Sequence, residues 1–273
     1  MKKFSLSKAF AYHAVMILIG LFFLFPLYYT VQNAFKVERL IIAYPPVWVF
    51  RPTLDHILKA IVEYRLYNYL ANSLIISLLA TILGLGIASF AAYALVRFRQ
   101  QKLALFILVS TMVPYIICII PLYVLFYNFG WLDTYHGLVL THLIITVPQS
   151  VWILMAFIDG VPEELEEAAM IEGCGRAKAF LHIVFPLMRP GLVAAGILCF
   201  AVSWNDFKLA LVLAGRHTTT APLGLYNFLG TDIIDWGGLS AGATILIVPA
   251  IMFVFLIQKQ LVRGLAIGGF GGI

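Results

Sequence analysis

The sequence predicts an all-α integral membrane protein with six transmembrane helices, both termini in the cytoplasm, and a short cytoplasmic helix between spans four and five. Three observations carry this reading. Of 273 residues, 62% are hydrophobic and 11% charged, where soluble domains carry roughly 25% charged residues. Mean hydropathy is +0.97, more apolar surface than a soluble fold of this length can hide. The charges are gathered into a few segments with long uncharged runs between them. A soluble enzyme, a nucleic-acid-binding domain and a disordered chain are therefore poor readings, and no nucleic acid is expected among the partners. The net charge of +5 is read as the loop bias that orients membrane helices.

The uncharged runs place the spans. From Lys8 to Lys36 there are 27 residues without a charge, from Arg65 to Arg97 31, and from Lys102 to Asp133 30. The interval from Asp133 to Asp159 holds 25, and that from Asp235 to Lys259 holds 23. Each exceeds the roughly 20 residues a helix needs to cross about 30 Å of hydrocarbon. A sixth run, Pro190 to Ala214, is interrupted only by Asp206 and Lys208. The predicted spans are residues 10–32, 69–96, 103–127, 137–158, 190–213 and 240–260. None alternates polar and apolar residues as a barrel strand would. Pro114, Pro121, Pro148 and Pro249 are expected to kink spans, where protein or water can satisfy the freed backbone groups.

Lysine and arginine set the orientation. The N-terminus, the second-to-third connection, the fourth-to-fifth connection and the C-terminus together hold 11 of the 18 basic residues. The third-to-fourth connection, Asn128 to His136, holds none. Those four segments are therefore read as cytoplasmic. The first apolar run is too long for a signal peptide and lacks a small-residue cleavage site, so it is read as a retained span. Residues 33–68 and 214–239 form larger external segments, and Leu54 to Tyr67 is read as a short amphipathic helix. The three cysteines suggest neither a disulfide framework nor a zinc site. No linker divides the chain, which reads as one membrane domain over 1–273.

The cytoplasmic segment 159–189 differs from the rest. Pro162 suits a first helical position, and Glu163, Glu164, Glu166 and Glu167 favour the positive end of the helix dipole. Gly173 and Gly175 are expected to end that helix, and Arg176 to open a second one stopping before Pro186. Leu165, Ala168, Ala169 and Glu172 share a face bordered by Gly173, small enough to let another surface approach closely. By composition alone this is either a docking element or a solvated acidic loop.

The spacing Glu167-Ala168-Ala169, three residues, Gly173, nine residues, Ile183, one residue, Phe185-Pro186 resembles the EAA loop of ATP-binding-cassette importer permeases. The chain keeps that spacing and departs from the pattern at Phe185, where leucine is usual. Asn72-Ser73, Ala91-Ala92-Tyr93-Ala94 before Arg97, Trp204-Asn205-Asp206-Phe207 and Val262-Arg263-Gly264-Leu265 extend the likeness over nearly the whole chain. They are similar to the smaller permease subunit of maltose-type carbohydrate importers. The resemblance implies a coupling helix seated in a cleft of an ATP-binding subunit. Glu167 would pair with a basic residue there, and Ala168, Ala169 and Gly173 would permit close packing. It also implies two ATP-binding subunits, a second, homologous permease and an extracytoplasmic solute-binding protein. The substrate would be a sugar or oligosaccharide, and the site of action the bacterial or archaeal cytoplasmic membrane. No G-x-x-x-x-G-K-[ST] phosphate loop is present, so ATP and Mg are expected on the partner ATPase. This chain is expected to bind no cofactor and to catalyse nothing itself.

Within the spans, Asn72, Ser73, Trp204, Asn205 and Asp206 are candidates for lining the pathway or packing subunits together. Asp206 would lie some 16 residues into the fifth span, roughly 24 Å along at about 1.5 Å per residue. Ser110, Thr111 and Gln149 are placed to meet sugar hydroxyls or to bond helix carbonyls. The six histidines show no metal-ligand spacing. A membrane-embedded enzyme would need paired acid–base residues, and an ion-driven transporter would favour mid-membrane ionisable residues or inverted repeats. Neither pattern is visible. An importer branch for phosphate esters, amino acids or peptides is the nearest alternative.

Overall fold

The computed structural model describes residues 6–230 and 234–268, and every regular element among them is helical. Four helices are long and apolar enough to cross a membrane, or six if each of two bent pairs forms one span. The uninterrupted ones are Leu6–Asn33, Leu66–Arg97, Tyr135–Asp159 and Trp236–Gly268. They overlie the predicted runs 10–32, 69–96, 137–158 and 240–260. The short helix expected within 54–67 is Asp55–Val62. Pro148 and Pro249 lie within continuous helices.

The other two runs differ from expectation. Residues 103–127 do not form one helix: Gln101–Ser110 and Tyr115–Phe129 meet at 81° across a break. Pro114 causes it, having no N–H for the helix ladder and holding the preceding residue out of helical geometry. Pro121, by contrast, falls in the first turn of Ile119–Phe129, where a missing N–H costs nothing. The run 190–213 is likewise divided into Arg189–Trp204 and Lys208–Leu213. The helix opened by Arg176 does not stop before Pro186 but continues to Leu187, bent by 75° from Arg189–Trp204. A wide π-turn over Phe180–Val184, in which the Phe185 N–H bonds to the Phe180 carbonyl, precedes the proline. That turn makes room for a ring that would collide with the carbonyl four residues back in a regular α-helix.

Internal contacts divide the chain into two units. In the first, Met1–Tyr67 with Leu225–Val248, the first 18-residue apolar window of the N-terminal helix has no buried residues. Phe10, Phe22 and Phe23 are 78%, 75% and 71% exposed, an apolar surface that only lipid or another chain can cover. Past its C-terminus, Lys36 is buried among the rings of Tyr29, Trp48 and Phe50, 5.2–6.0 Å from their centroids. Its ammonium donates to Asn33 Oδ1, and desolvation lowers its pKa. The N–H groups of Trp236 and Gly237 at the start of the last helix donate to Glu38, a carboxylate at the positive end of a helix dipole. Lys59 donates to Asp235 at 2.8 Å. Burial would raise the Asp235 pKa, but Lys59 and the Gly238 N–H outweigh it and hold the carboxyl below its usual range.

The second unit is Asn68–Gly224 with Pro249–Ile273. Its larger core joins Ala88, Ala92, Leu95, Val151, Leu154, Ile158, Phe180, Val184 and Ala195. Tyr135–Asp159 packs along Arg189–Trp204 so closely that a Cβ on Gly191 would lie 2.5 Å from the Phe157 ring. Thr134 caps the former helix, its hydroxyl accepting from the Gly137 N–H. Just before it, Asp133 accepts from the N–H groups of Gly215, His217 and Thr218 and from the Thr218 hydroxyl. A Cβ on Gly215 would come within 2.6 Å of that carboxylate, so glycine is required there.

Burial acts to raise the Asp133 pKa, and the Thr218 and backbone donors more than reverse this, so folding lowers it. A lowered pKa means the contribution is complete at neutral pH. It disappears as pH falls from the ordinary carboxylate range near 4 through the lower folded value. Asp133→Ala is expected to cost about 2–3 kcal/mol, the loss of hydrogen bonds to a charged acceptor. Thermal unfolding of wild type and variant between pH 3 and 7 checks this: their difference should shrink at the acid end.

Candidate functional site

The segment 159–189 is built around the helix Glu163–Ile171, with Pro162 at its N-cap and three glutamates in its first turn. Its C-terminus is a Schellman motif. The Cys174 N–H bonds the Ala169 carbonyl at 2.9 Å and the Gly173 N–H bonds that of Met170 at 3.0 Å. The motif places Gly173 at φ +88°, a conformation glycine adopts at little steric cost. The spacing Glu167-Ala168-Ala169…Gly173 therefore has a structural meaning, since it encodes two turns of helix and the residue that stops them.

This helix exposes apolar side chains beside Glu163, Glu164 and Glu167 and buries one carboxylate. Leu165 is 45% and Ile171 88% exposed, whereas Glu166 is 4% exposed. Glu167, Ala168 and Gly173 are also exposed, and Ala169 is half-buried. A helix with apolar and small side chains outward and a carboxylate inward presents its outer face for another protein to cover. The inward carboxylate is fully used. Glu166 Oε1 accepts from Arg97 Nε at 2.6 Å and Oε2 from the Tyr93 hydroxyl at 2.6 Å. A second Arg97 nitrogen donates to the Val161 carbonyl at 2.8 Å. The end of Leu66–Arg97 is thus bonded to the start of the helix Glu163–Ile171 through a buried ion pair.

The remaining candidates lie apart from this helix in the sequence, and Asn72, Ser73, Asn205 and Asp206 make hydrogen bonds inside the chain. Asn72 donates to the carbonyls of His217 and Thr219 and accepts from the Tyr135 hydroxyl. Ser73 Oγ accepts from the Ala221 N–H. These two residues fasten the Leu66–Arg97 helix to the segment 217–221. Trp204 is buried and stacked on Phe200 at 5.6 Å. Asn205 is exposed and donates to the Ala201 carbonyl.

Asp206 sits in the break and accepts from the N–H groups of Leu209 and Ala210, so it caps Lys208–Leu213. Its Oδ2 lies 3.7 Å from His142 Nε2, and His142 Nδ1 is hydrogen-bonded to Ser203. Asp206→Ala is expected to destabilise the chain by about 1–2 kcal/mol, the cost of a lost cap, and to weaken subunit assembly more than substrate affinity. Asp206→Asn keeps an accepting oxygen and should recover most of the loss. Melting of the detergent-solubilised protein and recovery of partner chains read both effects.

A protein-family model described as "binding-protein-dependent transport system inner membrane component" matches residues 84–267, which includes the helix Glu163–Ile171 and its anchor. The chain belongs to this family. It is 33% identical to the sulfoquinovosyl glycerol transport system permease SmoH of Agrobacterium fabrum, over 91% of this chain and 89% of that protein. It is 32% identical to the diacetylchitobiose uptake permease DasC of Streptomyces coelicolor, over 95% of both chains. It is also 32% identical to the trehalose/maltose permease MalG of Thermococcus litoralis, over 94% of both. Its fold matches a chain of a bacterial ABC transporter that imports the acidic polysaccharide alginate, with a TM-score of 0.76 at 18% identity. That match covers 95% of this chain and 99% of the other.

In this permease the sequence singled out Glu167, Ala168 and Gly173, which are exposed, and missed the buried Glu166. Glu166 reads as one of four glutamates at a helix start, and nothing in the spacing separates it from its exposed neighbours.

Proposed function

We propose that this chain is the transmembrane permease subunit of an ATP-driven importer of a sugar or oligosaccharide. It supplies half of the translocation pore and catalyses nothing itself. The observation that carries the proposal is the helix Glu163–Ile171, whose exposed Glu167, Ala168 and Ile171 are held outward by the buried Glu166–Arg97 pair. The relatives named as carbohydrate permeases support the substrate class. In this reading the chain crosses the cytoplasmic membrane six times, each bent pair counting as one span, with both termini in the cytoplasm. The partners are two ATP-binding subunits carrying ATP and Mg, a second, homologous permease and an extracytoplasmic solute-binding protein.

Glu167 faces a basic residue of the ATPase, and Ala168, Ala169 and Gly173 let the two surfaces meet. When the ATPase dimer closes around ATP, the helix moves as a rigid body. The Arg97–Glu166–Tyr93 contacts carry that motion into Leu66–Arg97, turning the pathway outward. Hydrolysis resets it. Purification of the tagged protein from its native membrane in mild detergent tests the assembly. An ATP-binding subunit and a second permease should co-purify. A chain recovered alone or as a homodimer at every detergent strength would refute the proposal.

A further inference from the structure

Two cavities of the second unit lie along one face of the helix Tyr135–Asp159. The first, of about 860 Å³, is lined in part by Arg99, Asp159 and Glu163, beside the cytoplasmic helix. The second, of about 550 Å³, is lined in part by Ser110, Thr111, Tyr115, Gln149 and Trp152. Trp152 borders both. Gln149, Trp152, Ala156 and Asp159 recur at spacings of three, four and three, which keeps them on one face of a helix. One stripe therefore joins an uncharged polar cavity to a charged one next to the cytoplasmic helix.

The second cavity opens at the break made by Pro114. Non-helical backbone at membrane depth is tolerated only where protein buries it or it lines water. Residues Thr111 to Pro114 are exposed. The Gln149 amide has no hydrogen-bond partner among the described residues, and the Ser110 and Thr111 hydroxyls give their protons to helix carbonyls, leaving lone pairs free. Lys208 is exposed, with its ammonium 5.5 Å from the centre of the Tyr115 ring and no carboxylate at ion-pair distance among the described residues. Lys208 stands outside the cavity lining, and an ammonium beside the break is tolerated where it faces protein or water. These features fit a wet cavity and not a lipid-facing groove.

We infer that the cavity at the Ser110–Tyr115 break is a saccharide-contact site of this chain. The inference rests on the importer reading and extends it by giving this subunit its own place on the sugar's path. A sugar ring offers a face of C–H groups and a rim of hydroxyls. Trp152 and Tyr115 suit the face, and Gln149 with the two hydroxyls suits the rim. A mostly apolar wall with a few aimed polar groups is the usual composition of a small-molecule site, and the cavity falls within the usual range of roughly 300–1,000 Å³. The lining carries no charged side chain, so the part of the ligand lodged there is uncharged.

Cys118 also lines this cavity and is part-exposed, which provides a native reporter. In the assembled importer in proteoliposomes, carrying Cys174→Ser, a charged methanethiosulfonate reagent should label Cys118. A transported disaccharide, chosen from trehalose, maltose and diacetylchitobiose by ATP-driven uptake in the same vesicles, should slow that labelling severalfold. Gln149→Leu should abolish the protection and raise the KM for uptake about tenfold, the equivalent of one lost hydrogen bond. Absence of labelling would mean that lipid or the sister permease covers the cavity, and would overturn the inference. Labelling at an unchanged rate during active uptake would overturn this site while leaving the importer reading intact. Failure of ATP-driven uptake across a broad panel of mono- and oligosaccharides that includes these three would remove that reading and the site together.

Discussion

Arg97→Ala is expected to abolish ATP-driven uptake and to lower the stability of the chain by about 3–5 kcal/mol, the cost of stranding one partner of a buried ion pair. The guanidinium and carboxylate side chains are 6% and 5% exposed. Removing Arg97 therefore leaves Glu166 buried with only the Tyr93 hydroxyl and strips a donor from the Val161 carbonyl. Glu166→Gln should be milder, since its amide oxygen still accepts from one donor. Arg97→Lys should recover little, because an ammonium cannot reproduce a planar fork reaching Glu166 and Val161 together. The measurement is a pair of readouts on the solubilised complex, unfolding temperature and sugar uptake. Uptake of Arg97→Ala at the wild-type rate would show that motion reaches the membrane helices by another route.

Gly173→Asp is expected to act on coupling and not on folding. A Cβ at Gly173 meets nothing within 4 Å, and the positive φ costs roughly 1–2 kcal/mol for an L-residue, less for aspartate than for most. The protein should reach the membrane and fold, with its Schellman turn strained but closed. The new carboxylate stands at the border of the small-residue face, where it blocks close approach of the ATPase. ATP hydrolysis should continue while uptake falls at least about tenfold. Uptake unchanged from wild type would remove the coupling role from this helix.

The long apolar helices were legible because charge is expensive in hydrocarbon, so the interval from Arg65 to Arg97 marks the ends of Leu66–Arg97. The break at Pro114 was half legible. The proline is visible, but Pro148 and Pro249 look the same in sequence and lie in continuous helices. What separates them is tertiary packing, which lets neighbours tolerate a missing backbone bond. Asp206 shows the same limit: its carboxylate turns onto the N–H groups of Leu209 and Ala210 instead of facing outward. On the cytoplasmic helix, the exposed residues Glu167, Ala168 and Gly173 were readable from spacing. Their inner anchor was not, because Arg97 and Glu166 are 69 residues apart and no local rule pairs them.

The central claim is that the outer face of Glu163–Ile171 is covered by an ATP-binding subunit. A photoreactive amino acid at Ala168, irradiated in the native membrane and followed by identification of the adducts, tests it most directly. The claim predicts an adduct with a chain that carries a nucleotide-binding site, lost in Gly173→Asp. Adducts confined to lipid, or to this chain alone, would contradict it.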